Sequence, residues 1–63
     1  MTLNEHKIYR LLDGRGWTSP TMIGGLLHGG HNGSAWASPI CLRMVKKGLL
    51  ERSEKGHYRR TDR

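Results

Sequence analysis

Leu42-Arg43-Met44-Val45-Lys46-Lys47-Gly48-Leu49-Leu50-Glu51-Arg52-Ser53, followed after Glu54-Lys55-Gly56 by His57-Tyr58-Arg59-Arg60-Thr61, decides how this chain folds. Upstream of Lys47, apolar side chains recur with the period of a helix. Ala37, Ile40, Cys41 and Met44 stand at i, i+3, i+4 and i+7 and share one face. Past Gly48 the period drops to two. Residues 49–53 and 57–61 read as two short strands, with Leu50 and Tyr58 inward. Glu54-Lys55-Gly56 joins them, and Gly56 suits the positive φ that closes a three-residue hairpin loop. The switch from one period to the other predicts a basic helix over about 35–47 and a hairpin over about 49–61.

Two more helices precede this unit. Thr2-Leu3-Asn4-Glu5 has the form of a capping box, in which the Thr2 hydroxyl and Glu5 carboxylate satisfy amides at a helix start. Ile8, Leu11 and Leu12 follow on one face, and Gly14 ends the run. This predicts a helix over about 3–13. Trp17 is the one large apolar group in the connector, and is expected to anchor a short strand on the core. Ser19-Pro20 then opens a second helix, since proline at the first helical position leaves no amide unpaired. Ile23, Leu26 and Leu27 are its apolar stripe over about 19–28. Gly24 and Gly25 weaken it, and are expected to admit another helix at close range.

The start of the third helix stays open at this level. Ser34 is a suitable cap, with the helix running from about residue 35. Pro39 would then remove a hydrogen bond to the Ala35 carbonyl. The alternative is a regular helix beginning at Ser38-Pro39, with residues 34–37 in a looser turn.

Composition bounds what such a chain can do. It has 63 residues, enough for one domain over 1–63. A chain this short buries only about 60% of its unfolded surface, which argues against a deep enzymatic cleft. No apolar run approaches the roughly 20 residues that cross a bilayer, so no membrane partner is expected. The first residues hold no signal-like apolar block. One cysteine, Cys41, excludes an internal disulfide, and a cytoplasmic setting is expected. Eleven Lys and Arg against five Asp and Glu give a net charge of +6, which points to a polyanionic partner. Residues 43–63 hold eight of those cations against three acids, so the excess is concentrated where the helix meets the hairpin.

In this order of elements, the chain resembles the winged helix-turn-helix superfamily, and within it the MarR- and ArsR-type regulators. Leu42 to Arg52 looks like the end of a recognition helix entering the first wing strand. Lys55-Gly56-His57-Tyr58-Arg59-Arg60-Thr61 looks like the wing tip and its returning strand. The resemblance implies an α+β fold, a small three-helix domain with a C-terminal two-stranded wing. It also implies double-stranded DNA as partner, with the third helix in the major groove and the wing on the backbone. The chain would then be a small transcriptional regulator or architectural factor without chemistry of its own.

Candidate DNA-binding residues follow. On the third helix they are Ser34, Trp36, Ser38, Arg43, Lys46 and Lys47, of which Arg43 suits guanine with two hydrogen bonds. Ser19 and Thr21 sit where the second helix starts and offer amides and hydroxyls to a phosphate. Lys55, His57 and Arg59 are candidate wing contacts. Trp36 and Pro39 depart from the family pattern, which usually places Arg or a polar residue in the first turns of that helix. The helices through which such regulators dimerise are expected to be missing.

Other readings are kept beside this one. Leu42, Val45 and Trp36 are candidates for contact with another protein or a second copy, which would make the domain an interaction adaptor. RNA is a third candidate partner for the same basic face. His28-Gly29-Gly30-His31 is expected to be surface histidine rather than a metal site, because structural zinc takes four ligands and no second pair exists. No metal or cofactor is expected. Cys41 lies on the apolar face with no base to activate it, and no pair of carboxylates shares a pocket, so the chain is not expected to be an enzyme.

Overall fold

In a computed structural model describing residues 1–61, the chain forms three helices and a two-stranded antiparallel hairpin, an α+β arrangement. Asp62 and Arg63, counted above among the charges, lie outside the described residues. The elements are α1 (Leu3–Leu11), α2 (Pro20–Leu27), α3 (Gly33–Lys46), β1 (Leu50–Arg52) and β2 (Tyr58–Arg60).

The first helix begins as its sequence requires. Thr2 Oγ1 accepts from the Glu5 amide at 3.2 Å, and the Thr2 amide donates to Glu5 Oε1 at 2.8 Å. The regular helix ends at Leu11, two residues short of the expected 13. Residues 12–15 form turns instead, with the Arg15 amide donating to the Leu12 carbonyl at 3.1 Å. α2 starts at Pro20, and Ser19 caps it by accepting from the Met22 amide at 3.2 Å. Its expected apolar stripe is corrected in one place. Ile23 is buried and Leu27 packs on the core, but Leu26 is 55% exposed.

α3 resolves the open question about its start, in favour of neither expected form. It begins at Gly33, with Asn32 as a cap that makes no side-chain hydrogen bond, and runs unbroken through Pro39. Ser34 is therefore a helical residue and not the cap. The reason is a crossing of backbones: a Cβ on Gly24 would overlap the Gly33 carbonyl, and one on Gly33 would lie 2.9 Å from the Gly24 carbonyl carbon. α2 and the first turn of α3 touch main chain to main chain, which holds the helix start at Gly33. Gly25, by contrast, faces open space. Pro39 and Ala35 are both exposed, so the carbonyl that Pro39 leaves without a donor has access to water.

The helix stops at Gly48, whose φ is +78°, and the chain turns into the hairpin. Leu50 pairs with Arg60, Glu51 with Arg59 and Arg52 with Tyr58. The Gly56 amide donates to the Ser53 carbonyl at 3.0 Å, and Gly56 at φ +80° completes the expected three-residue loop. Thr18 adds a short third rung. Its amide and carbonyl both bond Tyr58 at 2.8 Å, so the connector after α1 lies along β2 on the side away from β1.

The buried core is Ile8, Leu12, Ile23, Ala37, Ile40, Cys41, Met44, Leu50 and Tyr58; of the other residues that periodicity places on the apolar stripes, Leu11 and Leu27 are partly buried against it and Leu26 is exposed. Trp17 is not part of the core. The indole expected in the core is 45% exposed, because Thr18 takes the inward position and alternation along the strand turns Trp17 outward. Among the described residues, no helix is long and apolar enough to cross a membrane.

Candidate nucleic-acid interface

The described cations fall into two groups. Three are engaged by the fold. Lys47 Nζ reaches Glu5 Oε1 and Oε2 at 3.1 and 2.9 Å, joining the end of α3 to the start of α1. Arg59 lies between two partners on the outer face of the sheet: its Nε is 2.7 Å from Glu51 Oε2, and its guanidinium sits 4.3 Å from the centre of the Trp17 ring. Arg60 covers the Tyr9 ring at 3.7 Å and pairs with Asp13 at 3.1 Å. Lys7, Arg10, Arg15, Arg43, Lys46, Arg52 and Lys55 have no ion-pair partner among the described residues.

The second group contains the cations of the helix–wing unit. Arg43 and Lys46 are exposed at i, i+3 on α3, which carries no acidic residue. Lys55 is exposed at the wing tip, and Arg52 is exposed at the end of β1. Of the expected site residues, then, Arg43, Lys46 and Lys55 are exposed and have no ion-pair partner among the described residues. Lys47 and Arg59 are already bound, so their expected contact with a polyanion would compete with the fold's own ion pairs.

The uncharged candidates are placed as follows. Ser19 caps α2, and Thr21 is exposed on its first turn. Ser34 and Ser38 are half-buried on α3. Trp36 is half-buried against the core and stacks on His28, with ring centres 5.1 Å apart and planes 8° from parallel. His28 thus covers an aromatic face rather than standing alone on the surface. The His57 amide donates to Ser53 Oγ at 3.0 Å, which fixes the loop beneath Lys55. Of the three residues expected to contact a protein, Trp36 and Val45 are packed on the core edge, and Leu42 is 45% exposed.

One electrostatic feature was not anticipated. Residues 16–42 contain no Asp, Glu, Lys or Arg, so α2 and the first two-thirds of α3 present an uncharged surface. Along the chain the charge resumes at Arg43 and Lys46 in the last turns of α3 and continues into the hairpin. A helix whose charge begins only in its last turns would use phosphate contacts there and shape or apolar contacts ahead of them.

The buried titratable groups have structural roles. Glu5 is enclosed, and the Thr2 amide, then Lys47, hold its carboxyl down from an ordinary 4.5 to about 2. Burial pushes the Cys41 thiol up from 9.0 to about 11, which keeps it protonated at neutral pH. Among the described residues, no three His, Cys, Asp or Glu side chains are grouped to hold a metal ion.

Sequence reasoning missed the pairs Glu5–Lys47, Arg60–Asp13, Arg60–Tyr9 and Arg59–Trp17. Glu51–Arg59 was within reach, because the expected strands and loop already place 51 opposite 59. No protein-family model, curated protein or solved structure matches the chain.

Proposed function

We propose that the chain is a winged helix domain that binds double-stranded DNA as a small regulator or architectural factor, without catalysis. The carrying observation is the conjunction of topology and free charge. The order is helix, bridging segment at Thr18, helix, helix, hairpin. Four of the seven cations without an ion-pair partner among the described residues, Arg43, Lys46, Arg52 and Lys55, belong to the last helix and the hairpin that follows it, the other three being Lys7 and Arg10 on α1 and Arg15 after it. In this reading α3 enters the major groove with its uncharged first turns ahead of Arg43, and the wing lies on the backbone. Pairing of Lys47 and Arg59 within the fold lowers the number of phosphates the domain neutralises to about four, so log K falls with log salt at a slope near −3.6. A single module with so few contacts has modest affinity, and useful specificity requires a second module or a partner.

The test is a salt-titrated binding assay with random duplex DNA, single-stranded DNA and duplex RNA. Duplex binding that Arg43→Glu and Lys46→Glu abolish, with the fold intact by circular dichroism, supports the reading. Absence of nucleic-acid binding at low salt overturns it, and leaves the interaction adaptor. Preference for duplex RNA moves the same basic face to the other helical form.

A further inference from the structure

The face of the sheet turned away from the core carries a row that runs across it. β2 lies between β1 and the Thr18 segment, and the pairings of Glu51 with Arg59 and of Thr18 with Tyr58 bring Trp17, Arg59 and Glu51 side by side. Arg59 covers one side of the indole at 4.3 Å and is itself held by Glu51 at 2.7 Å. The ring is therefore positioned by the fold, although nearly half of its surface meets solvent. A large aromatic group fixed but uncovered is costly to leave in water, and it is the kind of group that bases stack on.

A recess of about 400 Å³ opens beside this ring and is lined by Trp17, Ser53, Glu54, Lys55 and His57. Arg59 is not part of that lining, so the recess meets indole surface that Arg59 leaves free. The volume is within the lower part of the range of small-molecule sites, about 300–1,000 Å³. The backbone around it is fixed: the Ser53 and His57 positions bond each other through the His57 amide at 3.0 Å and the Ser53 amide at 2.9 Å.

We propose that this recess binds one unpaired nucleotide of a nucleic-acid strand, its base stacked on Trp17 and its phosphate held by Lys55. The chemistry divides the ligand between the lining groups. Glu54 and Lys55 both line the recess and are both exposed. The Glu54 carboxylate repels a phosphate and accepts hydrogen bonds from a base's amino group, so the neutral base lies between it and the indole, and the Lys55 ammonium takes the phosphate. A base within an intact duplex has both faces covered by its neighbours, and only an end, a gap or a single strand offers one. The inference deepens the nucleic-acid reading and rests on it in one respect only, that the partner is nucleic acid. It adds that the domain favours a junction, where duplex lies along α3 and a loose strand reaches the wing.

The experiment measures binding of a short blunt duplex, the same duplex with a single-stranded overhang, and a single-stranded oligonucleotide, by fluorescence anisotropy. The overhang is expected to strengthen binding about tenfold, the scale of one stacked base. Trp17→Ala should remove that gain and leave blunt-duplex affinity unchanged, and Trp17→Phe should retain most of it. In a Trp36→Phe background, which leaves Trp17 as the sole indole, emission should be quenched by the overhang and not by the blunt duplex. Circular dichroism of each variant separates lost binding from lost fold. Equal binding of blunt and overhanging duplexes overturns this inference and leaves the duplex reading in place, as does a gain that survives Trp17→Ala. Binding of the single strand alone, lost in Trp17→Ala, upholds the nucleotide site at Trp17 and overturns the duplex reading, and with it the preference for a junction. Failure of all three probes overturns both.

Discussion

Gly24 on α2 and Gly33 at the start of α3 meet backbone to backbone, closer than any side chain permits. This crossing sets where α3 begins, and so which of its residues face outward. A methyl group at Gly24 would have to displace the Gly33 main chain, which no side-chain rotation relieves. Gly24→Ala should therefore cost about 3 kcal/mol or more, at the upper end of overpacking penalties. A chain this short has a total stability of only about 3–9 kcal/mol, so the loss removes at least about a third of it. Gly25→Ala is the control. It is helical, faces open space, and should gain up to about 1 kcal/mol from helix propensity. Thermal melts of the two variants check the contrast, and equal effects would contradict the crossing.

Local signals in the sequence were sufficient for most of the fold. Thr2 and Glu5 form the box that their spacing predicts, Ser19 caps before Pro20, and Leu50 and Tyr58 turn inward from a two-residue period. These features depend on neighbours within a few positions. What was not legible depends on partners brought together by the whole fold. Lys47 looked like a free cation because its acceptor, Glu5, is 42 positions away. Arg60 reads as solvated until Tyr9 and Asp13 come to it across the chain. Trp17 was expected in the core because size favours burial, but Thr18 occupies the inward position and strand alternation decides against the larger ring. A charge count taken from the sequence therefore includes Lys47, Arg59 and Arg60, which are ion-paired within the fold.

Pro39 sits in the seventh position of α3, where a helix normally excludes it. Its ring and Ala35 are both exposed, so alanine there would meet no crowding and would restore the bond to the Ala35 carbonyl. Pro39→Ala should stabilise the domain by about 1–3 kcal/mol, less than or equal to the intrinsic difference between the two residues in a helix interior. At about 4–8 °C per kcal/mol for a domain this small, the change is large enough to read in a melt. A lowered melting temperature would mean that proline at this position is required for packing α3 on α1 and α2.

Cys41 is fully enclosed among Ile8, Ile23, Met44 and the rest of the core, and burial raises its thiol to about 11. The thiolate is the reactive form, so both access and ionisation oppose modification. A thiol reagent at neutral pH should label the native protein only through unfolding. Its rate should climb with denaturant in step with the loss of helical circular dichroism. Rapid labelling under native conditions would show that α3 opens locally, away from global unfolding.

Glu5 links folding to pH. Its carboxyl ionises near 4.5 in an unfolded chain and near 2 in the folded one, where the Thr2 amide and then Lys47 favour the charged form. The unfolded state therefore binds the proton more readily, and acid favours unfolding. The stabilisation from Glu5 is complete above about pH 5, declines as pH falls through 4.5, and is gone below about 2. Glu5→Gln keeps an oxygen that can accept from the Thr2 amide but loses the charge that meets Lys47, whose side chain is half exposed. The variant should be less stable than the parent at pH 7, and the two melting temperatures should converge as pH falls from 5 toward 2. Lys47→Met removes the same partner from the other end while keeping the apolar stem, so it should also reduce the acid dependence. Because the Thr2 hydrogen bond remains, that reduction should be partial. An unchanged gap between parent and Glu5→Gln across this window would show that the carboxylate's charge contributes nothing to holding α1 against the end of α3.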